Sequence, residues 1–411
     1  MKKHFYLLVL TACIISCGNV DNKTKDDSLI HIKIEKPDVS HLEPLLLSEF
    51  IDSIEYIQLE TTNDCLMPYH GLGRKVLIDC LLIFYDRYSI LTFNAVSGKF
   101  LNKIGKKGQG PGEYVQIQDL CIDKDNNRIV LKDSGKQAIL TYNYEGKYLG
   151  NISFENIEES IFTNCLYSVS LADIDDQYMV YIDNNHIPAE YACQSNEIIV
   201  YDYKNKNILH TESNKMGGTY NRFNRKITGI QNMAKYDNKL FYKSFYNDTL
   251  YIIQRERGIN PFAIIDLGRY KLPTEFILSE NSHSEILGKI QINSIYIDNK
   301  NILFECYCVN DENLKDIMSF ICKFETETKK LTYHSNLMND IDGGQNSNLE
   351  GLSLGCWYVI PPDEIKNENK KYVCSLLNKS ELKHPELKDK FERMQEARDP
   401  DDNPLIMILH K

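Results

Sequence analysis

The chain has 411 residues, 42% of them hydrophobic and 26% charged, with 47 basic against 58 acidic side chains and a formal net charge of −11. That balance can fill a large core, which excludes a disordered or collagen-like chain. The acidic surplus excludes a nucleic-acid partner, because backbone phosphates require a basic face. Length alone would suggest two or three domains, although repetitive all-β folds run longer as one unit.

The first 17 residues read as an address. Lys2 and Lys3 precede the mostly apolar run Phe5–Ile15, which is too short to span a bilayer and suits an export signal. The run ends Ile14-Ile15-Ser16-Cys17-Gly18, which resembles the lipobox of bacterial lipoproteins. That resemblance implies removal of residues 1–16 and acylation of Cys17, with several acyl chains (palmitate among them) holding the protein to a membrane. Loss of Lys2 and Lys3 would lower the net charge to −13. Gly18 after the cysteine resembles lipoproteins of the outer membrane, and the polar stretch Asn19–Ser28 suits a tether. Residues 17–44 are therefore read as lipidated cysteine, tether and N-terminal arm.

Export would permit disulfides, yet Cys80, Cys121, Cys306, Cys308 and Cys322 fall in or beside strand-like apolar runs without a CxxC pair. Buried free thiols are expected, and the spacing needed for a zinc site is missing.

From Ile54 to Leu337 short alternating runs are punctuated by Asn, Asp and Gly. Ser89–Leu101 (SILTFNAVSGKFL) and Ala138–Leu149 (AILTYNYEGKYL) share a β-branched strand, an Asn, a Gly-Lys turn and an aromatic-Leu start to the next strand. They lie about 48 residues apart, the period of a β-propeller blade. Weaker echoes follow at Ile198–Leu209, Leu240–Ile253 and Ile321–Leu331. Six blades of about 48 residues fit the processed chain, whereas seven overrun it. Phe50–Glu60 and Pro404–His410 are candidates to close the ring from both chain ends. The expected fold is thus an all-β, six-bladed β-propeller over 45–411, with a short helical insertion at about 363–399. Within that insertion Leu387, Phe391 and Met394 form one helical stripe over 386–397, after Pro385.

Lys103–Tyr114 (KIGKKGQGPGEY), followed by Asp119–Asp123, Ile129–Asp133 and Tyr142–Leu149, resembles the signature of six-bladed β-propeller lipoproteins of Gram-negative bacteria, distant relatives of NHL-repeat proteins. Asn247–Gly268 with Tyr270–Pro273 resembles that family's fourth-blade region, and Asp402–Leu405 its final strand. The resemblance implies a shape and a place in the cell envelope, and no reaction.

Several motifs invite chemistry. The glycine loop Gly105–Gly112 lacks the Lys-Ser/Thr and helix of a phosphate cradle. It is expected to cross the propeller face between an outer strand ending near Ile104 and an inner strand starting near Ile117. Gly108, Gly110, Pro111, Gly112, Glu113 and Tyr114 are the candidate face-loop residues there. Asp123–Arg128 and Asp399–Asn403 imitate calcium loops but lack the turn glycine, so they are read as Asx turns. Asp27-Ser28-Leu29, Asp52-Ser53-Ile54 and Asp248-Thr249-Leu250 fit a short O-glycosylation pattern, of which the first lies in the tether. The ten His show no paired metal spacing, and there is no GxSxG. No cofactor and no catalytic residue is assigned. The leading reading is a lipid-anchored cell-envelope protein, at the outer membrane, that binds a protein partner or a small ligand such as a glycan. The alternative is an envelope hydrolase or lyase with its site at the channel mouth.

Overall fold

The computed structural model describes residues 29–411 apart from 68–73, 137, 153–168, 176, 184–195, 214–232, 244–247, 255–257, 273–285, 311–315, 345–347, 360–378 and 400. Cys17, the signal, most of the tether and the first part of the insertion lie outside the described residues.

The elements in chain order are β1 (Ile30–Lys33), β2 (Leu45–Leu46) and β3 (Ser53–Gln58). Blade 1 holds β4 (Arg74–Ile78), β5 (Leu81–Tyr85), β6 (Ile90–Asn94) and β7 (Phe100–Lys103). The short β8 (Lys106–Lys107) and β9 (Glu113–Tyr114) follow. Blade 2 holds β10 (Ile117–Asp123), β11 (Arg128–Asp133), β12 (Ala138–Asn143) and β13 (Tyr148–Ile152). Blade 3 holds β14 (Val169–Ile174), β15 (Tyr178–Asp183), β16 (Asn196–Asp202) and β17 (Asn207–Ser213). Blade 4 holds β18 (Met233–Tyr236), β19 (Lys239–Lys243), β20 (Thr249–Gln254) and β21 (Gly258–Asp266). Blade 5 holds β22 (Ile290–Ile297), β23 (Asn301–Val309), β24 (Ile317–Glu325) and β25 (Leu331–His334). Then come β26 (Leu337–Met338), α1 (Leu349–Leu354), β27 (Cys356–Tyr358), α2 (Pro385–Glu396) and β28 (Leu405–His410).

The sixth blade is the sheet β27-β28-β3, so the ring closes with a strand from each chain end. β28 pairs antiparallel with β3, from Leu405 opposite Gln58 to His410 opposite Ser53. Both strands fall inside the two segments expected to close the ring. Its inner position is taken by α1, which packs between β22 and β4, the inner strands of the flanking blades. Helix α1 is absent from the sequence reading. Asn348 caps it through Gly351 N, and Gly355 ends it at φ +71°.

Strand alternation explains the core. On β5, Ile83 points into the seam with blade 2, while Leu82 and Phe84 point into the seam with blade 6. Six clusters of described buried residues fill the six seams in this way, so each blade is covered on both faces chiefly by its neighbours, with the N-terminal arm and α2 adding to two seams.

The two expected repeats coincide with β6–β7 and β12–β13, the outer hairpins of blades 1 and 2. The echoes at 198–209 and 321–331 are also outer hairpins. The echo at Leu240–Ile253 is not, because it is the middle hairpin β19–β20 of blade 4. Aromatic and β-branched residues recur in middle and outer blade strands alike, so the pattern marks hairpins without fixing which pair.

β1 extends blade 4 as a fifth strand, parallel to β21 from Ile30 opposite Ala263 to Lys33 opposite Asp266. The chain then crosses blade 5, where Tyr333 Oη accepts from Glu35 N at 2.9 Å. Helix α2 spans 385–396, one residue earlier than expected. It seats buried Phe391 against Tyr56 with ring centroids 4.7 Å apart. Cys65, Cys121, Cys306, Cys308, Cys322 and Cys356 are buried free thiols, whereas Cys80 sits exposed in a turn. Cys306 and Cys322 stand 3.9 Å apart as thiols.

Candidate functional site

Strand direction sorts the connections onto two faces. Inner-to-second and third-to-outer strand connections share one face and are short, as at 79–80, 95–99, 144–147, 203–206, 237–238 and 326–330. Second-to-third and outer-to-inner connections share the other face. Among the described residues the longer connections are there, namely 104–116 and the described parts of 59–67, 267–272, 335–344 and 379–404. Loops carry binding residues where a rigid scaffold presents them together, so this long-connection face is the candidate functional surface.

The glycine loop lies on that face and bridges β7 to β10, as its ends suggested. Its candidate residues are brought together, but mainly to satisfy one another. Glu113 accepts from Gly110 N at 2.8 Å and pairs with Lys106 at 3.0 Å. The Gly110 amide, with the Lys106 ammonium beside it, holds the Glu113 carboxyl below the usual range. Lys136 Nζ donates to the carbonyls of Gly110 (2.9 Å) and Glu113 (2.6 Å). Tyr114 is fully buried and donates to Tyr88 O. A Cβ on Gly108 would lie 2.1 Å from Glu113 Oε2, and one on Gly112 (φ +69°) 2.8 Å from the Tyr148 ring. Gly112 is required by its positive φ and by the Tyr148 ring, whereas a side chain at Gly108 would displace the Glu113 carboxylate from the Gly110 amide. Pro111 makes the bend between Gly110 and Gly112.

Both calcium-like motifs are turns. Asp123 takes Asn126 N, Asn126 Nδ2 and Arg128 on its carboxylate. Asp399 accepts from Asp401 N, while Asn403 pins residues 60–67 through Glu60 O, Cys65 O and Met67 N. Thr249 is buried in β20, which removes it as a modification site.

Two groups that the sequence reading missed lie along the central axis. Asp119, buried on the inner strand of blade 2, joins three blades. It accepts from Arg74 of blade 1 at 2.6 Å, from Leu171 N of blade 3 at 3.0 Å and from Leu120 N at 2.9 Å. Lys235 of blade 4 pairs with Asp173 of blade 3 at 2.8 Å. These act as clamps between inner strands.

The second group is different in kind. Lys75, on β4 near its long-connection end, is only 7% exposed and makes no ion pair or hydrogen bond with a described residue. Its ammonium rests over the Trp357 ring at 4.1 Å and the Tyr358 ring at 4.7 Å. Trp357 Nε1, also buried, has no acceptor among the described residues. Two buried donors without acceptors therefore adjoin one another where α1 replaces an inner strand. Desolvation lowers the Lys75 pKa, opposed by the charge of Glu350, and burial pushes the neighbouring Cys356 thiol up to about 11. The arrangement can receive an acidic or acceptor-rich group. Its signal in the sequence is slight: Trp357 is the single Trp of the chain, and Lys75 merely follows Arg74 ahead of Val76–Ile78.

Lys75→Met should keep or raise stability by up to about 1 kcal/mol, since it removes a desolvated charge that lacks a partner. The pH dependence has a definite sign. With the folded pKa below 10.5, the unfolded chain holds more protons in the window up to 10.5, so the wild type gains stability relative to Lys75→Met as pH rises through it. Urea midpoints of both proteins between pH 7 and 10.5 check this.

Comparison with known proteins bears on fold and family. A family model described as a domain of unknown function, DUF4934, matches residues 29–410. No curated protein matches. Among solved structures, a Bacteroides fragilis chain described as a putative exported protein superposes with TM-score 0.59 at 14% identity, covering 93% of this chain and all of the other. A DUF4221 member from Bacteroides vulgatus gives TM-score 0.44 at 12% identity over 73% of this chain and 92% of that one.

Proposed function

The chain belongs to the DUF4934 family, and we propose that it is a lipid-anchored cell-envelope binding module that takes an acidic ligand or partner on its long-connection face. The observation that carries this reading is the pair of buried donors, Lys75 and Trp357 Nε1, that have no acceptor among the described residues, at the seam beside α1 on the central axis. A uronic-acid glycan, an acidic peptide side chain and a phosphate share the oxygen chemistry that would fit them. Cys17 supplies the anchor at the outer membrane, in the manner of the Gram-negative propeller lipoproteins that the sequence resembles. The fold likeness to a chain described as exported is in keeping with that location.

Orientation supports the reading. β21 runs from the tight-turn face toward the long-connection face, and β1 runs parallel to it. The chain therefore reaches β1 from the tight-turn side, so an anchor upstream of residue 29 joins the domain on that side and leaves the long-connection face free to point away from the membrane.

Photo-crosslinking tests it. Tyr88 (55% exposed) lies in a second-to-third strand turn on the long-connection face, and Val96 (63% exposed) in a tight turn on the other. A photoreactive residue at 88 should capture a discrete envelope component and one at 96 should not. Cys17→Ala should shift the protein from the membrane to the soluble fraction. Equal capture at both positions, or membrane retention without Cys17, contradicts the proposal.

A further inference from the structure

The outer hairpins of blades 1, 2 and 3 share a defect at one position. Phe93 pairs with Phe100 and Thr92 with Asn102, which leaves Leu101 as an extra residue. Tyr142 pairs with Tyr148 and Thr141 with Gly150, leaving Leu149. Tyr201 pairs with Ile208 and Val200 with His210, leaving Leu209. A β-bulge re-aims the side chain of its extra residue and disrupts further pairing at a sheet edge. In all three blades that residue is a leucine, and the three are 43%, 49% and 36% exposed. An isolated exposed leucine needs no explanation, whereas three at the same bulge of consecutive blades form a pattern.

All three lie within a few residues of the tight third-to-outer turns, with Val96 beside them. Those turns also carry lysines: Lys99 and Lys147 are exposed ahead of Leu101 and Leu149, and Lys204 is exposed ahead of Leu209. Glu145 is the one acid in the turns 95–99, 144–147 and 203–206. On a chain of net charge −11 this is a local reversal, with apolar side chains flanked by ammonium groups. Such a surface complements anionic headgroups over an acyl boundary.

We infer that the tight-turn rim of blades 1–3, through Leu101, Leu149 and Leu209 with Lys99, Lys147 and Lys204, rests on the lipid surface. The inference depends on the lipid anchor proposed above. The occupant follows from where the anchored chain arrives. β1 receives the chain from the tight-turn side, and the twelve residues from Gly18 to Leu29 reach at most about 40 Å, which keeps that side near the bilayer. One acyl-bearing residue permits free tumbling on the tether, and the leucine rim supplies the second contact that fixes the orientation.

The test uses the acylated chain in vesicles of phosphatidylethanolamine and phosphatidylglycerol containing brominated lipid. A fluorescent residue at 149 should be quenched at least about threefold more strongly than one at 88. Equal quenching, or stronger quenching at 88, overturns the inference. Leu101→Ser/Leu149→Ser/Leu209→Ser should leave the thermal midpoint nearly unchanged, while the non-acylated Cys17→Ala form loses about tenfold of its residual affinity for these vesicles on adding the three substitutions. Unchanged vesicle affinity overturns it, as does loss of a protein crosslink in the triple variant without a change in quenching, which would assign the rim to a protein partner. Full membrane retention of Cys17→Ala refutes the anchor. Quenching at 88 in a membrane-held, acylated chain refutes the rim contact alone.

Discussion

Asp119→Ala should destabilise the ring by about 2–4 kcal/mol, the larger part of it from the backbone amides left behind. Asp119 is 5% exposed and accepts from Arg74, Leu171 N and Leu120 N, with Tyr85 Oη at 3.3 Å. Arg74 is about half exposed and regains water when its partner is lost, so Arg74→Ala should cost less, about 1 kcal/mol. The buried amides of Leu120 and Leu171 have no such recourse. Because the acceptor spans three blades, the loss should appear as a lowered urea midpoint for the whole transition. A midpoint for Asp119→Ala within experimental error of the wild type would show that the inner strands hold without this clamp.

Ile406→Asp should have a still larger effect, roughly 4 kcal/mol or more, because it places a carboxylate in the closing seam. Ile406 is fully buried on β28, between Ile57 of β3 and Tyr358 of β27, and packs in the cluster that joins blades 6 and 1. A ring opened at this seam exposes two blade faces at once, since each blade is covered chiefly by its neighbours. Limited proteolysis should then cut near residues 59–67 and 401–404 well before the wild type is cleaved. Wild-type resistance and an unchanged thermal midpoint in this variant would contradict closure by the two chain ends.

Most of the architecture was legible because its cause is local. Period-2 alternation with Gly-Lys turns marks hairpins, and the GKFL and GKYL repeats fall on two of them, which the ring places outermost in blades 1 and 2. The closing strands were legible because Pro404–His410 and Phe50–Glu60 are apolar alternating runs, each of which has to pair with something. The helix at 385–396 announced itself by the stripe of Leu387, Phe391 and Met394. Helix α1 was hidden, since a six-residue segment shows hardly two turns and its inner position is decided by the neighbouring β4 and β22. The Leu240–Ile253 echo falls on a middle hairpin and not an outer one, because alternation alone does not number strands.

The candidate site was less legible than the fold, for a physical reason. Gly108, Gly110, Gly112, Glu113 and Tyr114 stood out by composition, yet their spacing serves a loop that satisfies its own polar groups. Lys75 lies far in sequence from the adjacent Trp357 and Tyr358 and meets them only when the last blade closes against the first. Nothing in the linear order marks Lys75 as buried, or Asp119 as shared among three blades. The rim leucines were visible as repeat residues, but their exposure depends on a bulge that becomes evident only from strand register.

The binding role is tested most directly by the fluorescence of Trp357, the single tryptophan of the chain, which lies 4.1 Å from Lys75 Nζ. Titration with an oligogalacturonate, with a short poly-glutamate peptide and with inorganic phosphate covers the acidic chemistries that fit the two donors. At least one of these should change the Trp357 emission saturably, and Lys75→Met should abolish that response while the protein stays folded. A flat titration with all three probes, or a response that survives Lys75→Met unchanged, would contradict the proposed acidic-ligand site.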